Sequence, residues 1–180
     1  MAQAASKDRP VSGSSFFNET PFDKREAPAT SSAMNEEQLI AAARAAALKA
    51  YAPYSNFSVG CAIESVDGEM VTGANMENAC YRLGVCAELS ALTAAQAAFG
   101  LANIARIAVA GGDGSGAELA GESSVMPCGG CRQSILEAAQ LSGRDIEILC
   151  ASGDGAQVAR HRIEALIPHG FGPASLADAG

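Results

Sequence analysis

Basic residues, aromatics and long apolar runs are all scarce in this chain of 180 residues. Its 12 lysines and arginines face 20 acidic residues, which leaves a formal net charge of -8. Nucleic-acid binders usually carry a basic patch or stripe, so we expect no nucleic-acid partner and favour a small, uncharged substrate. No apolar run approaches the length of about 20 residues that a membrane-spanning helix needs, so we expect no membrane partner either.

The apolar content of 48% and the charged content of 18% are typical of a globular chain, and the length suits one domain with a proper core. Residues 1–33 differ from the rest. They are rich in Ser, Ala and Pro and carry mixed charges without any apolar period, so we predict a disordered N-terminal extension. The folded domain is then expected over residues 34–180.

Helical and strand patterns alternate along this domain. The strands at 57–66 and 69–76 should form a hairpin about Asp67 and Gly68, and the apolar run at 104–110 is typical of a buried strand. A hairpin followed by alternating helices and strands predicts an α/β fold, with a mixed sheet that is covered on both faces. The remaining predicted elements are helices at 36–51, 86–99, 128–141 and 162–167, and a strand at 145–151.

Two short motifs carry the chemistry: Cys86-Ala87-Glu88 and Pro127-Cys128-Gly129-Gly130-Cys131. The i, i+3 spacing of Cys128 and Cys131 places both thiols on one face of a helix. A third thiol at Cys86 completes the three protein ligands that a catalytic zinc takes, which leaves its fourth position for water. Glu88 is close enough to act as a proton shuttle without being a ligand.

Other interpretations of the Cys-x-x-Cys pair are half of a structural zinc site, a redox pair or chance. A structural site needs a fourth ligand and does not need Glu88, whereas the combined signature is that of a zinc deaminase. Three cysteines assigned to a metal, with no recognisable secretion signal, favour a reducing, cytoplasmic setting over a disulfide framework.

With these motifs the chain resembles the small homotetrameric cytidine deaminases, over residues 36–173. The resemblance implies a three-layer α/β/α sandwich around a mixed five-stranded sheet, one Zn²⁺ per subunit and active sites that are shared within a homotetramer. The domain at 34–180 would then be the catalytic domain. The matching stretches are 51–60 (YAPYSNFSVG), 73–81 (GANMENACY), 86–88 (CAE), 127–133 (PCGGCRQ) and 167–173 (IPHGFGP).

The resemblance also implies a role for each matched residue. Cys86, Cys128 and Cys131 would hold zinc, and Glu88 would move protons during the hydrolytic deamination of cytidine and 2′-deoxycytidine in pyrimidine salvage. The expected substrate contacts are Phe57 on the base, Asn75 and Glu77 on a ribose hydroxyl, the Ala87 backbone N–H on the base carbonyl, and Tyr81 and Phe171 from a neighbouring subunit.

One position departs from the family pattern. Many relatives carry Arg directly after the catalytic Glu, where it offsets thiolate charge, and this chain has Leu89 there. Arg132 would then supply the charge compensation alone. Because blasticidin-type deaminases can have an apolar residue at this position, an antibiotic nucleoside deaminase is the alternative prediction.

Overall fold

The structure is a computed structural model that describes residues 34–177, so the predicted disordered extension at residues 1–33 lies outside the described residues. Within this range the helices are α1 (Glu36–Ala47), α2 (Ala87–Ala98), α3 (Gly129–Ser142), α4 (Ile163–Leu166) and α5 (Pro173–Ala177). The strands are β1 (Phe57–Ser65), β2 (Met70–Ala74), β3 (Ile104–Asp113), β4 (Glu147–Ser152) and β5 (Val158–Arg162).

The five strands form one mixed sheet in the order β2-β1-β3-β4-β5. Only β3 and β4 run parallel, and α3 lies in the connection between them. The other neighbouring strands are antiparallel. The predicted hairpin joins β1 to β2, and Gly68 adopts the positive φ of 83° that its turn requires.

Helix α1 covers one face of the sheet. A capping box starts it, in which the Asn35 side chain accepts from the Gln38 backbone N–H and the Gln38 side chain accepts in return. Its small residues Ala43 and Ala47 let it approach β1 so closely that a Cβ at Gly60 would lie 2.0 Å from the Ala43 carbonyl oxygen. The sequence's Ala-rich stripe is therefore the reason for this close contact.

Helices α2 and α3 cover the opposite face, where they pack on alternate residues of β1, β3 and β4. The buried cluster there includes Cys61, Ile63, Ile107, Ile148 and Cys150 from the strands. Helices on both sides of one mixed sheet make three layers, so the predicted α/β fold is confirmed. Among the described residues, no helix has both the length and the apolar character to cross a membrane.

Several element ends differ from the predictions for physical reasons. Helix α1 ends at Ala47 rather than at residue 51, because the backbone N–H of Tyr51 donates to the Asn75 carbonyl beside β2 instead of continuing the helix. Strand β3 runs past residue 110 because Gly111 and Gly112 still pair with β1.

Strand β5 was not predicted from the residue pattern. Its residues, VARHR, show little apolar alternation because β5 is an edge strand. Pairing with β4 creates it, since Glu147 to Ala151 provide the partner backbone. The helix predicted at 162–167 is the four-residue α4, which begins directly after this strand.

Candidate active site and metal centre

The three predicted metal ligands converge at the N-termini of α2 and α3. Cys86 is the N-cap residue of α2, Cys128 is the N-cap residue of α3, and Cys131 lies in the first turn of α3. The Sγ atoms of Cys86 and Cys128 are 4.0 Å apart, and those of Cys128 and Cys131 are 3.4 Å apart. All three sulfur atoms lie within 4.8 Å of one another.

This spacing fits a zinc ion. Zinc–sulfur bonds of about 2.3 Å in a tetrahedral arrangement separate two sulfur atoms by about 3.8 Å, and both measured separations are within about 0.4 Å of that distance. In the described part of the chain, no fourth His, Cys or carboxylate joins the group. A set of three ligands is typical of a catalytic zinc site, which keeps one position open.

Burial controls the charge state of the thiols before a metal binds. Burial raises the pKa of both Cys86 and Cys131, and the nearby Glu88 carboxylate raises it further. The pKa of Cys128 is instead lowered, first by the Cys131 backbone N–H at the helix N-terminus. A divalent cation would therefore be needed to hold all three sulfur atoms as thiolates.

Glu88 lies beside the thiol cluster, in the first turn of α2, and only 5% of it is exposed. Burial raises the pKa of its carboxyl group, while its own backbone N–H and the Cys131 thiol oppose the rise. A raised pKa favours the protonated form, so this carboxyl group is better able to donate a proton as well as to accept one than an exposed carboxylate is. The structure therefore brings the predicted proton shuttle and the predicted ligands together.

Arg132 contacts backbone rather than thiols. Its Nε donates to the Pro127 carbonyl at 2.8 Å, and one terminal nitrogen donates to the Leu166 carbonyl at 3.0 Å. Charge compensation by Arg132 stays a prediction. Leu89, at the position of the departure from the family pattern, packs against the apolar core of α2 and α3.

Phe57 is 45% exposed at the start of β1, where the strand reaches the site. Its ring and the side chains of Val59 and Val125 all approach Gly111, at which a Cβ would lie 3.1–3.3 Å from the three of them. Gly111 therefore makes room for the ring near the segment that leads into the metal-ligand motif. The sequence did not predict a place for Val125 near the site, because only its contact with Gly111 in the folded chain shows that it lies there.

Asn75 and Glu77 follow β2 and make different contacts. The Asn75 amide accepts from the Val59 N–H at 2.8 Å and donates to the Phe57 carbonyl at 3.0 Å, so it holds the start of β1. Glu77 accepts from the backbone N–H groups of Tyr54 and Ser55. Hydrogen bonds from the Ser55 side chain and the Tyr54 backbone lower the pKa of Glu77, which keeps it ionised.

Glu77 also lines an open depression of about 340 Å³ with Tyr54, Ser55, Asn78 and Tyr81. Tyr54 and Ser55 were not assigned a role from the sequence, although they lie within the matched stretch at 51–60. The rings of Tyr54 and Tyr81 meet edge to face, with centroids 5.9 Å apart.

The remaining predicted contacts lie at the ends of helices or on the surface. Ala87 is fully buried as the first residue of α2, where a helix leaves its backbone N–H groups without intrahelical partners. Tyr81 is 79% exposed and Phe171 is 60% exposed. Such exposure of large apolar rings is compatible with contacts to a second subunit, which the single chain does not contain.

Comparison with known sequences identifies the family. The family model described as "Cytidine and deoxycytidylate deaminase zinc-binding region" matches residues 33–142. This chain is a member of the cytidine and deoxycytidylate deaminase family. The match includes all three thiols and Glu88, so the predicted family is confirmed.

Named relatives agree with the family assignment. The cytidine deaminase of Halalkalibacterium halodurans is 34% identical over 145 residues, which are 81% of this chain and 100% of that protein. A cytidine deaminase of Mycobacterium tuberculosis is 45% identical over 92 residues, but the match spans 51% of this chain and only 62% of the relative. These relatives support cytidine deamination by an enzyme of this family.

Solved structures agree as well. The crystal structure of cytidine deaminase from Burkholderia pseudomallei matches with a TM-score of 0.67 at 39% identity, covering 77% of this chain and 100% of that one. Cytidine deaminase from Mycobacterium tuberculosis matches with a TM-score of 0.61 at 34% identity, covering 77% and 98%. The family fold therefore extends over most of the described residues.

Proposed function

We propose that this chain catalyses the hydrolytic deamination of cytidine and 2′-deoxycytidine to uridine and 2′-deoxyuridine, with release of ammonia, in pyrimidine salvage. The observation that carries the proposal is the buried carboxyl group of Glu88 beside three converging thiols, which no fourth ligand joins within residues 34–177. A structural zinc site would need the fourth ligand and would not need the acid.

Cys86, Cys128 and Cys131 would hold one zinc ion per subunit. Bound there, zinc would act as a Lewis acid that makes a water molecule nucleophilic at neutral pH. The two helix N-termini that carry the ligands would partly offset the negative charge of three thiolates. The thiols must stay reduced to bind metal, which supports a cytoplasmic location.

Glu88 would carry the protons of the reaction. As water adds to C4 of the cytosine ring, the carboxylate accepts a proton from that water and donates it to ring N3. The same group then accepts the remaining proton from the hydroxyl now on C4 and delivers it to the departing amine, so the C4–N bond breaks, the C4 carbonyl forms and ammonia leaves. The raised pKa of Glu88 suits both transfers, because burial favours the protonated form more than it is favoured in an exposed carboxyl group.

The neighbouring residues would position the nucleoside. Phe57 would pack on the base, and the Ala87 backbone N–H would donate to the base carbonyl. Glu77 would accept from a ribose hydroxyl, because its ionised state makes it an acceptor only. Asn75 would contact the same ribose hydroxyl from the loop that carries Glu77, while its amide also holds the start of β1. The anionic Glu77 would disfavour a phosphate on the sugar.

The proposed assembly is a homotetramer with shared active sites. The high exposure of Tyr81 and Phe171 supports it, since contacts with a neighbouring subunit would cover both rings. We further propose that residues 34–180 form the catalytic domain and residues 1–33 an extension outside it. Light scattering of the purified chain measures the assembly, and a monomeric mass would remove the shared roles of Tyr81 and Phe171.

One experiment tests the reaction. Zinc-loaded protein is mixed in parallel with cytidine, 2′-deoxycytidine, CMP and blasticidin S, and the cytosine absorbance band and free ammonia are followed. Turnover of the two free nucleosides alone is expected. Turnover of blasticidin S alone would favour the antibiotic deaminase that Leu89 allows. No turnover by protein with bound zinc would reject the enzyme proposal.

A further inference from the structure

The C-terminal segment at residues 166–172 lies along one stripe of α3. Gln133 Nε2 donates to the Phe171 carbonyl, and Arg132 donates to the Leu166 carbonyl at 3.0 Å. These two adjacent residues, in the first two turns of α3, therefore hold both ends of the segment that carries Phe171. We refer to residues 166–172 as the C-terminal segment.

Two glycines of the segment press against the next turns of α3. A Cβ at Gly170 would lie 2.3 Å from the Leu136 side chain, and a Cβ at Gly172 would lie 1.9 Å from Gln140 Oε1. Together with Arg132 and Gln133, these contacts cover two turns of the helix. The glycines of the IPHGFGP motif are therefore explained by close packing on α3.

The same guanidinium group also reaches the metal-ligand turn. Arg132 Nε donates at 2.8 Å to the carbonyl of Pro127, which is buried and directly precedes Cys128. The planar side chain of Arg132 thus connects two backbone carbonyls. One belongs to Pro127, directly before the predicted ligand Cys128, and the other belongs to Leu166, at the start of the C-terminal segment. Arg132 therefore contacts both Pro127, 5 residues before it in sequence, and Leu166, 34 residues after it.

We propose that Arg132 is a positioning residue which couples zinc binding to the order of the C-terminal segment. Zinc fixes Cys128 and Cys131, and this fixes the Pro127 carbonyl and the first turn of α3. Arg132 and Gln133 then hold the segment in place, and with it Phe171. The inference rests on the zinc site of the proposed function, but it does not depend on which nucleoside is used.

Thermodynamic coupling works in both directions, so the proposal makes two linked claims. Zinc should slow hydrogen exchange in the C-terminal segment, and displacement of that segment should weaken zinc binding. The two contacts of Arg132, with the Pro127 and Leu166 carbonyls, need two N–H donors in the planar geometry of a guanidinium group. A lysine at position 132 would keep the charge but could not hold both carbonyls in the same geometry.

The first test measures hydrogen exchange by mass spectrometry in the full chain, with zinc and after zinc removal by a chelator. Zinc should slow exchange over residues 166–177 by about tenfold in the unaltered chain. Arg132→Gln and Arg132→Lys, at saturating zinc, should lose most of this effect. Arg144→Gln is the control. Arg144 also donates to two backbone carbonyls, those of Ala102 and Ser142, but it lies beyond the C-terminal end of α3, away from the metal ligands.

Arg132→Lys separates positioning from simple charge compensation. If charge alone mattered, this variant would behave like the unaltered chain, and that result would overturn the proposal. Equal zinc-dependent slowing in Arg132→Gln, or none in the unaltered chain, would overturn it too. A chain that binds no zinc at all would overturn both this proposal and the proposed function, whereas bound zinc without coupling would overturn this proposal alone.

The second test changes the C-terminal segment and measures the effect on zinc affinity. Gly172→Ala places a methyl group against Gln140, far along α3 from the metal ligands, and should weaken zinc affinity by about fivefold or more. The control is Gly116→Ala, where the nearest atom to the new Cβ is 3.6 Å away. Competition with a zinc-binding dye measures both variants. Unchanged affinity in Gly172→Ala, with exchange in the segment increased, would contradict the coupling.

Discussion

Each face of the sheet has a buried carboxyl group, and the two groups differ in their partners. On the α1 face, the carboxylate of Glu64 is 2% exposed and is fully engaged, with Arg106 at 2.6 Å and the Met34 backbone N–H at 2.7 Å. On the α2 and α3 face, Glu88 is similarly buried but has no cation beside it among the described residues, only the thiol cluster.

This difference in partners gives the two carboxyl groups different expected roles. A buried charge that is paired and hydrogen-bonded has much of its desolvation cost offset by its partner. A buried carboxyl group without such a partner shifts its pKa and can exchange protons. One face of the sheet therefore has an ion-paired acid, and the other has the acid that we propose carries protons. Matched substitutions on the two faces should have different consequences.

The largest effect is expected for Glu88→Gln. It keeps the size of the side chain but removes the proton carrier, so turnover should fall by about 10²- to 10⁴-fold. Zinc content and the unfolding temperature should change little. Cytidine turnover, metal analysis and circular dichroism measure the three quantities. Loss of zinc together with unfolding would instead indicate a structural role for this acid.

Glu64→Gln is the counterpart on the other face. It leaves Arg106 without its anionic partner, and a broken buried pair costs about 3 kcal/mol or more of unfolding free energy, with some reduction here because Arg106 is 25% exposed. Turnover per folded molecule should be unchanged. Urea unfolding followed by circular dichroism measures the loss, and stability equal to that of the unaltered chain would show that the pair contributes nothing net.

Glycine substitutions compare the helix contacts of the two faces. At Gly60 a new methyl group would meet α1, and at Gly73 it would lie 2.4 Å from the Ala91 backbone nitrogen and 2.7 Å from the Ala87 carbonyl in α2. Each alanine variant should lose about 1–3 kcal/mol of stability through overpacking. Only Gly73→Ala should also weaken zinc binding, by about tenfold, because α2 begins at a metal ligand.

Zinc titration of folded protein distinguishes the two glycine variants. Equal zinc affinities in Gly60→Ala and Gly73→Ala would contradict the division of roles between the faces, even if both proteins were destabilised as expected. The stability loss itself can be measured by urea unfolding of the zinc-free chains, which removes any contribution from the metal.

The smallest effect concerns the thiols of the α2 and α3 face. In zinc-free protein, the pKa of Cys128 is lowered, first by the Cys131 backbone N–H, so its thiolate forms at a lower pH than that of an unperturbed cysteine. Burial raises the pKa of Cys150 to about 11 and raises that of Cys61 as well, so both stay protonated from pH 6 to 9. Alkylation followed by peptide mass spectrometry should label Cys128 well before Cys61 and Cys150.

Zinc should protect Cys128 in the same experiment, because a coordinated thiolate is not free to react. Labelling of Cys61 or Cys150 in the native chain as rapidly as Cys128 would show that these core thiols are reached by solvent. The unfolded chain in urea provides the reference, since all six thiols should then react at similar rates.

Local sequence patterns predicted the elements that carry the site with good accuracy. The predicted helices at 86–99 and 128–141 differ from α2 and α3 by one residue at each end. Their caps and closing glycines are local signals, and Gly143 adopts the left-handed conformation, with φ of 65°, that such a helix end requires. The i, i+3 spacing of Cys128 and Cys131 is likewise a local property.

Contacts between distant parts of the chain could not be predicted in this way. The end of α1 depends on a hydrogen bond from Tyr51 to a loop residue 24 positions away, and β5 exists because β4 offers it a partner. Arg132 was assigned to thiolate charge from its position next to Cys131. Its contact with the Leu166 carbonyl becomes visible only once α3 and the C-terminal segment are packed together.

The sequence by itself determined the groups on which the proposed chemistry depends: three thiols, one acid, the helix starts that present them and the alternation of elements that forms a covered sheet. These properties follow from residue type and short spacing. The tertiary structure alone decided which acid pairs with a cation and which one lies beside the thiols instead, because the burial of Glu64 and Glu88 and the presence of Arg106 beside only one of them depend on packing across the sheet.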